Sequence, residues 1–216
     1  KLAYYPAETD VSIRPGWFYH EEEDERVKSV KELWEIYCSS VGHNSVLLLN
    51  LPPDRRGLIH STDSLNMALL KKGIDETFSK NLLAGSKINA TNVRGSNFRP
   101  ENLIDADKKT YYAGKDGQAN SDITFKLPRT TEFDCLMLQE VIQLGHRTTK
   151  WSVEYSNDGK NWKSIPEASE KQTVGNKWII CFSPVKAGYV RLRIQDGLAC
   201  PALHTFGVYK QSSLFK

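Results

Sequence analysis

The chain has 216 residues, of which 39% are hydrophobic and 25% charged, a composition ordinary for folded globular proteins and long enough to bury one or two cores. With 29 Lys and Arg against 26 Asp and Glu the net charge is +3, and the mixed signs give no basic stripe of the kind nucleic-acid binding requires. No apolar run is long enough for a membrane span.

The opening segment KLAYYPAETDVSIRP lacks the charged-then-apolar pattern of a signal peptide. Glu21 to Tyr37 is predicted as an amphipathic helix, because Val27, Val30, Leu33, Trp34 and Tyr37 recur at helical spacing. Acidic residues crowd its start, where the helix dipole favours them, and Gly42 follows as a stop. The run SVLLLNL, residues 45–51, suits a strand buried on both faces, as in a parallel sheet. Pro52 and Pro53 end it by removing ladder donors. A second helix is predicted from Thr62 or Asp63 to Phe78, with Leu70, Ile74 and Phe78 on one face and Gly73 as a weak point. Strand and helix alternate, which is α/β logic, yet so few units cannot close a barrel that needs eight. Residues 1–82 are therefore expected to be an incomplete α/β portion.

From residue 83 the pattern changes to short strands: 121–127, 133–141, 150–156, 177–183, 188–194 and 203–209. Trp151, Val153 and Tyr155 alternate with Ser152 and Glu154, and Val190, Leu192 and Ile194 alternate with Arg191 and Arg193. That period marks half-buried antiparallel strands, and many of them without helices imply a β-sandwich or jelly roll over 83–216. Cys38, Cys135, Cys181 and Cys200 form no zinc-type cluster and read as buried thiols, with a Cys135–Cys181 or Cys181–Cys200 bridge left open.

The strings PAETDVSIRPGWFYH and SSVGHNSVLLLNLPPDRRGLI together resemble glycoside hydrolase family 29, the α-L-fucosidases, over roughly residues 4–79. The closest likeness is to the branch shared by bacterial and plant enzymes. The segments NLIDADKKTYYA, WSVEYSNDGKNWKSI, GYVRLRI and HTFGVY resemble the discoidin, or coagulation-factor 5/8 type C, domain. The resemblance implies the C-terminal fragment of a catalytic (β/α)8 barrel followed by a discoidin-like jelly-roll β-sandwich. The complete protein would be a retaining fucosidase acting on fucosylated glycans, in a periplasmic or secreted setting. Its aspartate nucleophile would lie upstream, with the N-terminal barrel portion, so this chain alone is expected to be inactive. No organic cofactor is implied. From the discoidin resemblance alone, the alternative is a non-catalytic carbohydrate-binding or adhesion module.

By the same resemblance, Glu8 would line the fucose pocket, on the expectation that it precedes a strand end or loop where barrel active sites collect. Trp17 would cover the fucose methyl group. His20 is a weaker pocket candidate, since strand alternation points Tyr19 and His20 to opposite sides. Arg14 could hold Glu8 or Asp10, and Asn50 ends the apolar strand where active-site groups sit. Asp105, Asp107 and Thr110 have spacing that could offer oxygens to calcium. Related sugar-binding domains add a carboxylate from the final strand, where this chain has Leu203-His204-Thr205. Trp151 and Trp162 fit core positions, and Tyr111, Tyr112, His146 and Arg147 sit at predicted loops or strand ends.

Overall fold

The computed structural model describes residues 5–216; residues 1–4, which the predicted N-terminal portion includes, lie outside them. The chain divides into two compact units. The first holds residues 6–79 together with the last six, 211–216, and the second holds residues 80–210 with Tyr5. The return of 211–216 to the first unit has no counterpart in the sequence reading, which ran the sandwich to the end of the chain.

In the first unit β1 (Ala7–Ser12) pairs in parallel with β2 (Ser45–Asn50), so that Glu8 stands beside Val46 and Asp10 beside Leu48. Helix α1 (Val30–Ser39) and helix α2 (Ser61–Phe78) complete the unit. The prediction of one helix from Glu21 to Tyr37 is corrected. Glu21–Arg26 forms only a 3-10 turn, and Val27 is extended. Lys28 explains the break: its N–H donates to the Ile13 carbonyl, its ammonium to the Ser12 and Arg14 carbonyls, and its own carbonyl accepts from Asn66. These tertiary bonds take Lys28 out of helical geometry. A capping box at Ser29 and Glu32 then starts α1 afresh.

The expectation that 45–51 is buried on both faces is corrected as well. Val46 and Leu48 are about half exposed, at 49% and 52%, while Ser45, Leu47 and Leu49 on the other face are partly buried. A two-stranded sheet covered on one side leaves its other face open, and Glu8, Asp10, Val46 and Leu48 share that face by register. The PPDRRGL segment after β2 is a closed turn. The Asp54 N–H donates to the Leu58 carbonyl, and Gly57 adopts φ 76°. The Arg56 guanidinium holds the Asp54 carboxyl down at about 2, with help from the Arg56 and Leu58 backbone N–H groups.

The buried positions of α2 are Asp63, Leu70, Gly73 and Thr77; of the predicted face Leu70 is buried, whereas Ile74 and Phe78 are only half-buried. Gly73 now has a reason. The C-terminal Phe215 stacks on Trp34 with ring centroids 4.3 Å apart and planes 2° off parallel. A Cβ on Gly73 would overlap that Phe215 ring. Ser212 fixes the approach, its N–H donating to Thr77 Oγ1 and its hydroxyl to Glu76. Gly73→Ala gains about 1 kcal/mol of helix propensity but incurs roughly 1–3 kcal/mol of overpacking. We expect it to lower the thermal midpoint of the chain, and a variant that melts higher than wild type would contradict this packing account.

The second unit is a discoidin-like β-sandwich with strands β3 (Lys87–Ala90), β4 (Tyr112–Ala113), β5 (Ser121–Glu140), β6 (Thr148–Ser156), β7 (Lys163–Ser164), β8 (Trp178–Gly197) and β9 (Ala202–Tyr209). The separate strands predicted at 121–127 and 133–141 are one 20-residue strand, as are those at 177–183 and 188–194. Each bends midway and serves both layers. The first part of β5 pairs with β3 and the second part of β8, which continues to β6 and β7. The second part of β5 pairs with the first part of β8 and with β9, which carries β4. Pro128 falls where the β5–β8 register lapses, so its missing N–H removes no ladder bond. The core between the layers includes Phe125, Phe133, Leu136, Trp151, Val190, Leu192 and Phe206.

Candidate functional site

In the first unit, polar groups converge where β1 and β2 end together. The Asn50 amide donates to Ser12 Oγ at 3.2 Å and to the Trp17 carbonyl at 3.0 Å. The Ser12 hydroxyl donates to the Gly16 carbonyl at 2.7 Å, and the Ile13 N–H to the Asn50 carbonyl at 3.0 Å. These bonds clamp the loop that carries Trp17, whose side chain remains 52% exposed. Asn50 is thus a loop anchor, its amide already engaged. Trp17 stands at the C-terminal ends of parallel strands, the end where barrel active sites form.

Glu8 is placed differently from its expectation. It is the second residue of β1, about 13 Å of extended chain before Ser12, and it is exposed on the open face. The strands therefore separate Glu8 and Trp17 toward opposite ends. His20 is exposed, and its carbonyl accepts from the Glu23 N–H at 3.0 Å and from Arg14 at 3.4 Å. The histidine drawn into the loop network is His60, whose Nε2 is 3.5 Å from Asp24 and whose ring lies 6.1 Å from that of Tyr19.

Arg14 binds neither Glu8 nor Asp10. It is fully buried, and its Nε and Nη2 each donate at 2.9 Å to the Asp63 carboxylate, itself fully buried on α2. Nη1 is 2.9 Å from Asp24, and the guanidinium lies 4.6 Å from the Tyr19 ring centroid. Tyr19 donates to Asp24 at 3.2 Å. Burial and the Asp24 carboxylate hold its phenol above the ordinary value. The network fixes residues 14–24 to α2 and so sets the base of the Trp17 loop. The sequence offered no signal for Asp63, which is 49 positions from Arg14.

In the sandwich, Asp105, Asp107 and Thr110 do come together, but they satisfy one another. Asp105 accepts from the Asp107 N–H at 2.9 Å and the Thr110 hydroxyl at 2.7 Å, and Asp107 accepts from the Lys109 N–H at 2.9 Å. The His204 ring donates through Nδ1 to the Thr110 carbonyl at 3.1 Å, from the strand expected to supply a carboxylate. Among the described residues no group of three or more His, Cys, Asp or Glu side chains is arranged to hold a metal ion. Two carboxylates and a hydroxyl fall short of the six to eight oxygens that calcium takes, so any such site would have to draw its remaining ligands from backbone carbonyls or water.

The other candidates divide between core and frame. Trp151 is fully buried and donates to the Thr173 carbonyl at 2.7 Å. Trp162, expected in the core, is only half-buried, with the Arg191 guanidinium 4.1 Å above its ring. Tyr112 is a core residue hydrogen-bonded to Asn92 and Ser121, and burial pushes its phenol up to about 12. Arg147 is tied to the Leu144 and Cys200 carbonyls, and His146 lies 3.4 Å from buried Glu140. A polar depression of about 520 Å³ opens beside Thr91, Asn92, Gln118, Asn120, Asp122 and Arg193. Its lining offers amides and an ion pair, and no aromatic platform.

Comparison with known proteins supports both halves of this description. A Bacteroides thetaiotaomicron crystal structure, described provisionally as an α-L-fucosidase, is 73% identical with TM-score 0.97, over 99% of this chain and 46% of its own. A Ruminococcus gnavus GH29 fucosidase solved in complex with fucose is 32% identical with TM-score 0.89, over 97% of this chain and 42% of its own. Alpha-L-fucosidase 1 of Arabidopsis thaliana is 31% identical over 211 residues, 95% of this chain and 41% of the relative. The chain thus spans less than half the length of each. Residues 87–204, more than half of the chain, match the F5/8 type C domain, and the chain belongs to that family.

Proposed function

We propose that this chain is the C-terminal part of a retaining α-L-fucosidase that releases terminal α-linked L-fucose from glycans. Residues 6–79 are read as the closing strands and helices of its (β/α)8 barrel, and the F5/8 type C sandwich as an ancillary domain. The reading is carried by likeness to fucosidases that runs through both units, over 95–99% of the chain. It is supported physically by the open face of the β1–β2 pair. Parallel strands are ordinarily covered on both faces, and exposed Val46 and Leu48 suit a barrel interior.

Retaining hydrolysis needs two carboxyl groups about 5–5.5 Å apart, one forming a covalent glycosyl intermediate and the other passing the proton. By the resemblance to family 29 fucosidases the nucleophile is assigned to sequence preceding these residues, and this chain contributes the Trp17 rim of the pocket. The test is hydrolysis of 4-nitrophenyl α-L-fucoside. The 216-residue chain should show no turnover above buffer, whereas the longer protein that contains it should be active. Turnover by the isolated chain would overturn the division of labour, and an inactive longer protein would overturn the fucosidase reading.

A further inference from the structure

Two thiols face each other across the sandwich's long strand pair. Cys135 on β5 and Cys181 on β8 are direct register partners, with their sulfurs 3.9 Å apart. Both are thiols in this structure. Directly opposed residues of antiparallel strands have Cα atoms about 4.5–5.5 Å apart, inside the roughly 4.4–6.8 Å range that a disulfide spans. The register also shifts between Phe133 and Cys135, so the ladder beside Cys135 has the local freedom of a bulge. Rotation about the two Cα–Cβ bonds, with a small closing of the strands, brings the sulfurs to bonding distance.

The pair is asymmetric in access. Cys135 is fully buried, whereas Cys181 is partly exposed. We propose that Cys135 and Cys181 form a redox-modifiable site, converted by a small-molecule disulfide into a cross-strand disulfide. The Cys181 thiolate attacks one sulfur of the oxidant, forming a mixed disulfide and expelling the first thiol. The Cys135 thiolate then attacks the Cys181 sulfur and expels the second. The two protein thiols are oxidised to one disulfide, the oxidant is reduced to two thiols, and the protein protons pass to them. Cys200 stands apart from this pair, its sulfur 3.0 Å from Arg94 and 3.2 Å from Arg147.

The test is incubation of the whole folded chain with glutathione disulfide, alkylation of remaining thiols, and peptide mass mapping. A linked Cys135–Cys181 peptide should accumulate, with Cys38 and Cys200 alkylated, and the thermal midpoint should rise by about 5–10 °C because the link joins residues 46 apart. In Cys135→Ala, Cys181 should stop at the glutathione adduct; in Cys181→Ala, which alters the more exposed position, neither adduct nor link should form at this site. A stable adduct on Cys181 in the wild type, a link involving Cys200, or an unreacted pair would each overturn the proposal.

Discussion

Arg14→Met is expected to destabilise the first unit by about 3–5 kcal/mol, the cost of removing one partner from a buried ion pair. The loss comes less from the missing attraction than from the Asp63 carboxyl group, which has no exposure and would be left buried without its ion-pair partner. Asp24 would suffer less, because its side chain is 24% exposed and can be hydrated. The same argument makes a second prediction that a simple loss of packing would not. Arg14→Met combined with Asp63→Leu should recover most of the stability, since an apolar pair of similar volume carries no desolvation cost. Urea unfolding of the single and double variants measures this. A single variant within 1 kcal/mol of wild type would mean that the pair is not dry in solution.

That pair also shows where sequence reading reaches its limit. Alternation at Trp151–Tyr155 and Val190–Ile194 marked the sandwich strands, because a strand with one buried face writes its period into adjacent residues. Long-range pairing leaves no such mark. Nothing near Arg14 points to Asp63, and nothing near Gly73 announces that Phe215 will lie against it. The helix predicted from 21 to 37 failed for the same reason: its apolar spacing was real, but Lys28 gave its backbone and side chain to β1 and α2. Strand continuity was hidden as well. The alternation breaks between 127 and 133, which reads as two strands, yet β5 runs through Pro128, where only its pairing with β8 lapses. At the candidate site, the Trp17 loop was legible as a motif, whereas the end of β1 on which Glu8 falls became clear only from the register with β2.

Glu8 and Trp17 therefore make different predictions within the proposed fucosidase. Trp17 stands at the C-terminal strand ends, and Asn50 holds its carbonyl. Stacking a sugar's apolar face and methyl group on an indole buries area worth about 1.5–3 kcal/mol. Trp17→Ala in the longer active protein is thus expected to lower kcat/KM for 4-nitrophenyl α-L-fucoside by roughly 10–100-fold. Trp17→Phe should restore most of it by keeping an aromatic face. The thermal midpoint should hardly move, because the side chain is 52% exposed in this unit and its loop is fastened by backbone and Asn50 contacts. Asn50→Ala should give a smaller loss, since it frees the loop without removing the ring. Glu8→Gln should cost less than Trp17→Ala, because its carboxylate lies most of a strand length from that rim. The reverse ranking, with Glu8→Gln crippling turnover and Trp17→Ala leaving kcat/KM intact, would move the pocket to the other end of β1.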